Sequence, residues 1–117
     1  MIAKSNQLES SITPSMRGGE GAVLVEKWFK PEAFGAKVRM CNRLTLQPGS
    51  SIGLHRHEGE DEIYLILSGA GTVLDEKGAA QSVSEGDAIL TGKGESHALR
   101  NDGHEPLTLA AIIILYA

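Results

Sequence analysis

Cysteine is almost missing from this chain. Cys41 is its one occurrence, so no disulfide can close within the chain, which suits a reducing cytoplasm. Cys41 lies in a strand-like run with no identifiable basic partner beside it, so it reads as a small, buried or half-buried side chain. Runs of lysine and arginine are also missing. The formal net charge is -4, which argues against a nucleic-acid surface. The loosely basic stretch of Lys27, Lys30, Lys37, Arg39 and Arg43 reads as a solvated face. No apolar run is long enough to cross a bilayer; LTLAAIIILYA, from Leu107 to Ala117, is too short and reads as a buried strand. MIAKSNQLESSITPSM lacks the apolar core of a signal peptide, so the cytoplasm is the expected location, with no membrane contact. No segment sustains a helical period.

What the chain does have is regular punctuation. Its 117 residues make one domain by size. Pro48-Gly49, Ser68-Gly69, Lys77-Gly78, Glu85-Gly86-Asp87, Gly92-Lys93-Gly94 and Asp102-Gly103 are turn signals. The runs between them are rich in Val, Ile, Leu, Thr and Tyr. Strands are expected near 22–29, 37–47, 51–57, 61–67, 70–75, 80–84, 87–91, 96–101 and 107–116. This spacing indicates an all-β sandwich or barrel over 22–117. Residues 1–21 are polar and contain Pro14, and are expected to form an irregular arm, ordered against a partner subunit.

Strand alternation aims the side chains. Val38, Met40, Asn42, Leu44 and Leu46 share the more apolar face of their strand and should point inward, leaving Asn42 in need of a polar partner. Glu62, Tyr64 and Ile66 share a face, as do His55 and His57. Residues at i and i+2 lie about 7 Å apart along a strand, so the two histidines can reach one metal ion. Glu62 can join them if EGED reverses the chain. His97, in GESHALRN, adds a third imidazole if its strand lies alongside. Three imidazoles and one carboxylate would leave about two positions open on an octahedral ion, and open positions indicate ligand binding or chemistry. Glu58, Glu60 and Asp61 are alternatives to Glu62 but read more simply as a solvated acidic loop. His104 reads as an exposed loop residue, and Trp28 and Phe29 as packing residues.

These residues fall into two motifs that resemble those of the cupins. GSSIGLHRHEGEDEIYLILSG, Gly49 to Gly69, is similar to G-x5-H-x-H-x3,4-E-x6-G. GDAILTGKGESHALRN, Gly86 to Asn101, is similar to G-x5-P-x-G-x2-H-x3-N, with Gly92 in place of proline. The resemblance implies a double-stranded β-helix, or jelly roll, with the metal in the barrel mouth held by His55, His57, Glu62 and His97. It also implies a homodimer, and it gives Asn101 a structural turn role. Within the cupins the resemblance is to the oxalate decarboxylase and germin-like group. Those enzymes carry an arginine three residues before the first ligand histidine, where this chain has Ile52.

The expected function follows from the site. A divalent ion with one carboxylate and three neutral imidazoles carries net charge +1 and attracts a small organic anion. The mixed nitrogen and oxygen donors suit Mn²⁺ or Fe²⁺ and tolerate Ni²⁺, Co²⁺ or Zn²⁺. The expected pocket is mostly apolar and is drawn from Met40, Ile52, Leu54, Ile66 and Leu99, with Asn42 and Tyr64 as its polar and catalytic candidates. One reading is an enzyme acting on a small carboxylate or dicarbonyl compound, of the decarboxylase, oxidase or dioxygenase type. The other is a non-catalytic module that binds or senses a small ligand, favoured by the lack of an evident general acid or base.

Overall fold

Short β-rich runs separated by turn residues cannot bury their apolar faces alone, so they pair. The computed structural model describes residues 1–117 and contains ten strands. They are β1 (Glu9–Pro14), β2 (Ala22–Lys27), β3 (Val38–Leu46), β4 (Ser51–Arg56) and β5 (Glu60–Ser68). The second half supplies β6 (Ala70–Asp75), β7 (Ala80–Ser84), β8 (Ala88–Thr91), β9 (Ser96–Arg100) and β10 (Leu107–Leu115). They form a six-stranded sheet of order β1-β2-β3-β10-β5-β8 and a four-stranded sheet of order β4-β9-β6-β7. Every ladder is antiparallel. The architecture is the expected all-β jelly roll, a double-stranded β-helix.

Alternation in β3 runs as the sequence predicts. Asn42, Leu44 and Leu46 are buried while their odd-numbered neighbours are more open. Val23, Leu46, Leu99, Leu107 and Leu109 are fully buried between the sheets, and each such side chain contributes about 1.5–3 kcal/mol by leaving water. The apolar run at the C-terminal end becomes β10, which lies between β3 and β5. Asn101 behaves as a turn organiser. Its amide donates to the carbonyls of Leu46 and Glu105, and its side-chain oxygen accepts from Gly103 N–H.

The arm departs from expectation. Residues 9–14 are not irregular but form β1, paired in register with β2 from Glu9↔Lys27 to Pro14↔Ala22. β1 is exposed on both faces, so it carries no hydrophobic alternation to betray it. The arm is ordered against its own chain: Ser5 accepts from Arg43, and Glu9 takes ion pairs from Lys27 and Lys30. Four of the five residues of the basic stretch are spent on such pairs, with Arg39 on Glu60 and Arg43 on Glu26.

β4 contains a second departure. Its register against β9 shifts between Ile52 and His55. An extra residue in one strand reverses the alternation beyond it, so Ile52 and His55 both turn inward although they are three residues apart. Leu54 is turned out and is 54% exposed, which removes it from the pocket.

Candidate metal centre

The four candidate ligands come from both sheets. β4 carries His55 and the residue after its end carries His57; β9 carries His97, and β5 of the other sheet carries Glu62. His55 stands directly opposite His97 in the β4–β9 ladder. Glu62 lies opposite Thr91 of β8 and Ile113 of β10. His57, Glu62 and His97 are buried and His55 is half-buried.

Their ligating atoms converge. His57 Nε2 lies 3.0 Å from His97 Nε2, which lies 3.1 Å from His55 Nε2. Glu62 Oε1 is 2.9 Å from His57 Nε2, 2.9 Å from His97 Nε2 and 3.8 Å from His55 Nε2. Neighbouring donors at right angles around an ion with bonds of ~2.1 Å would be ~3 Å apart.

The ring partners assign the tautomers. His55 Nδ1–H donates to the Gly53 carbonyl at 2.7 Å, and His57 Nδ1–H donates to Glu60 Oε2 at 2.7 Å. His97 Nδ1 sits 2.8 Å from the Thr91 hydroxyl, which can accept from it in the same way. With the proton on Nδ1, each Nε2 presents a lone pair to the centre. Nothing among these atoms then donates to Glu62 Oε1, which is buried without a hydrogen-bond partner. Three lone pairs and an orphaned carboxylate oxygen around one point fit a divalent cation.

The electrostatics agree. Burial opposes the charge on Glu62, and in the metal-free site, where the imidazoles can also protonate at Nε2, hydrogen bonds from His55 and His97 and the charges of His97 and His57 lower its carboxyl to about 2. Burial pushes His97 down from its ordinary value, against the pull of Glu62. Both are therefore in the ligating state at neutral pH. Tyr64 stacks on His97 with ring centroids 4.7 Å apart and planes 17° apart. Burial and the Glu62 charge raise its hydroxyl well above the usual range, so it is a phenol and not a base.

A cavity of about 60 Å³ is lined by three of the four ligands, His55, His57 and Glu62. At about 10–15 Å³ per water-sized site, it takes a ligand of a few heavy atoms. Met40, Ile52 and Tyr64 line it. Asn42 does not; it lines a neighbouring cleft with Lys27 and Glu32, and Met40, which borders both, forms the partition. Leu99 is fully buried in the core, one strand repeat beyond His97. Ile66 is likewise core.

Sequence reasoning missed three groups. Glu60, read as part of a solvated acidic loop, orients His57 and is itself gripped by Arg39 through two hydrogen bonds. Its spacing of three residues from a ligand histidine was the available signal. Thr91 orients His97, and Arg17 lines the cavity from the arm. Asp61 instead accepts a hydrogen bond from the Tyr116 hydroxyl, Glu58 pairs with Arg56 at the surface, and His104 is exposed. Burial raises the Cys41 thiol above its ordinary value, which disfavours the thiolate.

Comparison with known proteins agrees with this architecture. The family model described as Cupin domain matches residues 42–114, and the chain belongs to the cupin family. It is 42% identical over 115 residues to the oxalate-binding protein of Thermotoga maritima, covering 98% of this chain and 94% of that one. A crystal structure from the same organism, of a predicted oxalate decarboxylase, superposes with a TM-score of 0.94 at 42% identity, covering 98% and 99% of the two chains. The tetracenomycin polyketide synthase protein TcmJ of Streptomyces glaucescens is 30% identical over 98 residues, and this chain spans 62% of its length.

Proposed function

We propose that this cupin is a metal-dependent protein that takes a small carboxylate or dicarbonyl compound onto its bound ion and acts on it as an enzyme of the decarboxylase or oxidase type. The observation that carries the reading is the convergence of three Nε2 lone pairs and the orphaned Glu62 oxygen on one point, with His55, His57 and Glu62 lining a small, mainly apolar cavity. Mn²⁺ or Fe²⁺ suits these donors best, with Ni²⁺, Co²⁺ or Zn²⁺ tolerated. Bound there, the ion would supply Lewis-acid polarisation of an oxygen ligand. The protein's own residues do the rest. Glu60 and Thr91 fix the imidazoles, Met40, Ile52 and Ile113 keep the cavity apolar, and the Tyr64 phenol offers a hydrogen bond to an anionic oxygen. The oxalate-binding relative supports a dicarboxylate as ligand.

A second reading is binding without turnover. It is favoured by the cavity lining, where the titratable groups besides the ligands are Arg17 and Tyr64. One is a fixed cation and the other is held protonated, so no base is free to accept a proton.

The test is the metal content of tag-free protein by mass spectrometry, followed by oxalate titration and product analysis. Near one equivalent of manganese or iron, reduced in Glu62→Gln, supports the site; absence of metal after reconstitution overturns it. Oxalate binding without consumption selects the second reading. We also propose a cytoplasmic homodimer. Leu65, Leu67, Leu90 and Ile114 are exposed on the outer face of the six-stranded sheet and offer an apolar surface to a second copy, as sedimentation would show.

A further inference from the structure

Arg17 sits at the tip of a short loop that crosses the barrel mouth. The loop is closed on itself by Ser15 N–H donating to the Gly21 carbonyl at 2.8 Å. It is fastened to β4 twice, by Ser51 N–H to the Glu20 carbonyl at 2.9 Å and by Glu20 N–H to the Ser51 hydroxyl at 2.8 Å. Two glycines permit the contact. A β-carbon at Gly19 would overlap the Ser51 carbonyl, and one at Gly53 would overlap the Arg17 carbonyl. The loop backbone therefore lies directly on the strand that carries His55.

The tip is held in an unfavourable conformation. Arg17 has φ 53° and ψ 32°, and Ser15 has φ 49° and ψ 47°, the left-handed region that residues with a β-carbon rarely adopt. Strain of this kind persists where the surrounding structure enforces it, and such sites are often functional. Here it places Arg17 among the residues lining the cavity, with His55, His57, Glu62 and Tyr64.

The chain has five arginines. Arg39 pairs with Glu60, Arg43 with Glu26 and Ser5, Arg56 with the Gly94 carbonyl and Glu58, and Arg100 with Asp102. Arg17 alone has no acceptor within the protein, although it is the one arginine at the cavity. An exposed arginine needs no protein partner, but one fixed at the lip of an anion site has a ligand to meet. The charges also match. A divalent ion with the Glu62 carboxylate leaves +1, and Arg17 brings the total to +2, the complement of a dianion.

We propose that Arg17 is the specificity-determining residue for small dicarboxylates, taking through its guanidinium the second negative charge that the metal site leaves uncompensated. This rests on the metal-dependent anion site proposed above. Arginine suits the task because its planar fork presents paired donors to a carboxylate.

The experiment is calorimetric titration of manganese-loaded protein with oxalate and, separately, with acetate, comparing wild type, Arg17→Met and Arg17→Lys, with the metal content of each measured. Arg17→Met should weaken oxalate binding about ten- to hundred-fold, the worth of one charge-assisted contact. Acetate binding should change by less than about three-fold and metal content should not change. Arg17→Lys should keep part of the oxalate affinity. Oxalate affinity equal to wild type in Arg17→Met, at full metal content, overturns the inference alone. Wild-type protein that takes up manganese but binds neither anion overturns the proposed function and this inference with it.

Discussion

His55 and His97 face each other as a registered pair across β4 and β9, and their Nε2 atoms are 3.1 Å apart. The pair exists because the β4 bulge turns His55 inward at the rung where His97 stands, so the ladder delivers two ligands at once. Each also depends on its own holder, the Gly53 carbonyl for His55 and Thr91 for His97. His55→Ala and His97→Ala should each weaken metal binding by more than the about 10–100-fold typical of losing an outer partner. Metal analysis after dialysis measures this, and full retention in either variant would show that the four residues do not act as one site.

Glu60 gives a finer test. It accepts from His57 Nδ1 at 2.7 Å and is clamped by Arg39 at 3.0 and 3.2 Å. Burial works against its charge, but Arg39 and His57 hold its carboxyl below the usual range. Glu60→Gln keeps an acceptor for the ring and loses the charge, whereas Glu60→Ala loses both. Metal affinity should fall about ten-fold in the former and toward a hundred-fold in the latter. Competition with a chelator would read the order, and equal affinities in all three proteins would return Glu60 to the solvated loop.

Much of this was legible in the sequence. Turn residues bounded most of the strands, and period-two alternation correctly aimed Met40, Leu44, Glu62 and Tyr64. What was not legible depends on contacts between distant segments. β1 has no apolar face, so its pairing with β2 leaves no local trace. The β4 bulge sets Ile52 and Leu54 on opposite faces through its pairing with β9, and alternation alone could not locate Asn42 on the far side of Met40. Arg17 was hidden most deeply, since its place follows from the contact between Gly19 and Ser51 and that between Gly53 and Arg17 itself.

Acid should destabilise the metal-free protein in two windows. Burial lowers His97 from 6.5, so the unfolded chain binds this proton more readily than the folded one, and stability falls as pH drops below 6.5. Glu62 is lowered from 4.5 to about 2. Its contribution is fully present above 4.5 and is lost as pH falls toward 2. Urea unfolding at pH 7, 5 and 3 should show successive losses. His97→Gln should flatten the upper window and Glu62→Gln the lower. A wild-type stability that stays constant from pH 7 to 3 would contradict both assignments.

Gly92 replaces the proline of the second motif, and its surroundings explain the departure. A β-carbon there would overlap Asp61 Oδ1, which accepts a 2.6 Å hydrogen bond from the Tyr116 hydroxyl. Tyr116 in turn accepts from Lys93 N–H at 2.8 Å. Gly92 N–H donates to Glu95 Oε1 at 3.2 Å, a bond that proline could not make. Gly92→Ala should displace Asp61 and cost about 1 kcal/mol, roughly one hydrogen bond, while Gly92→Pro should cost about 2 kcal/mol by losing both contacts. Because Asp61 is the obstacle, Gly92→Ala should cost less in an Asp61→Ala background, and denaturant midpoints of the four proteins in that cycle measure the coupling. Neither Gly92 substitution should reduce metal content, since the clash lies at the turn and His97 remains held by Thr91. Additive effects in the cycle would mean that Asp61 does not keep a β-carbon out of position 92.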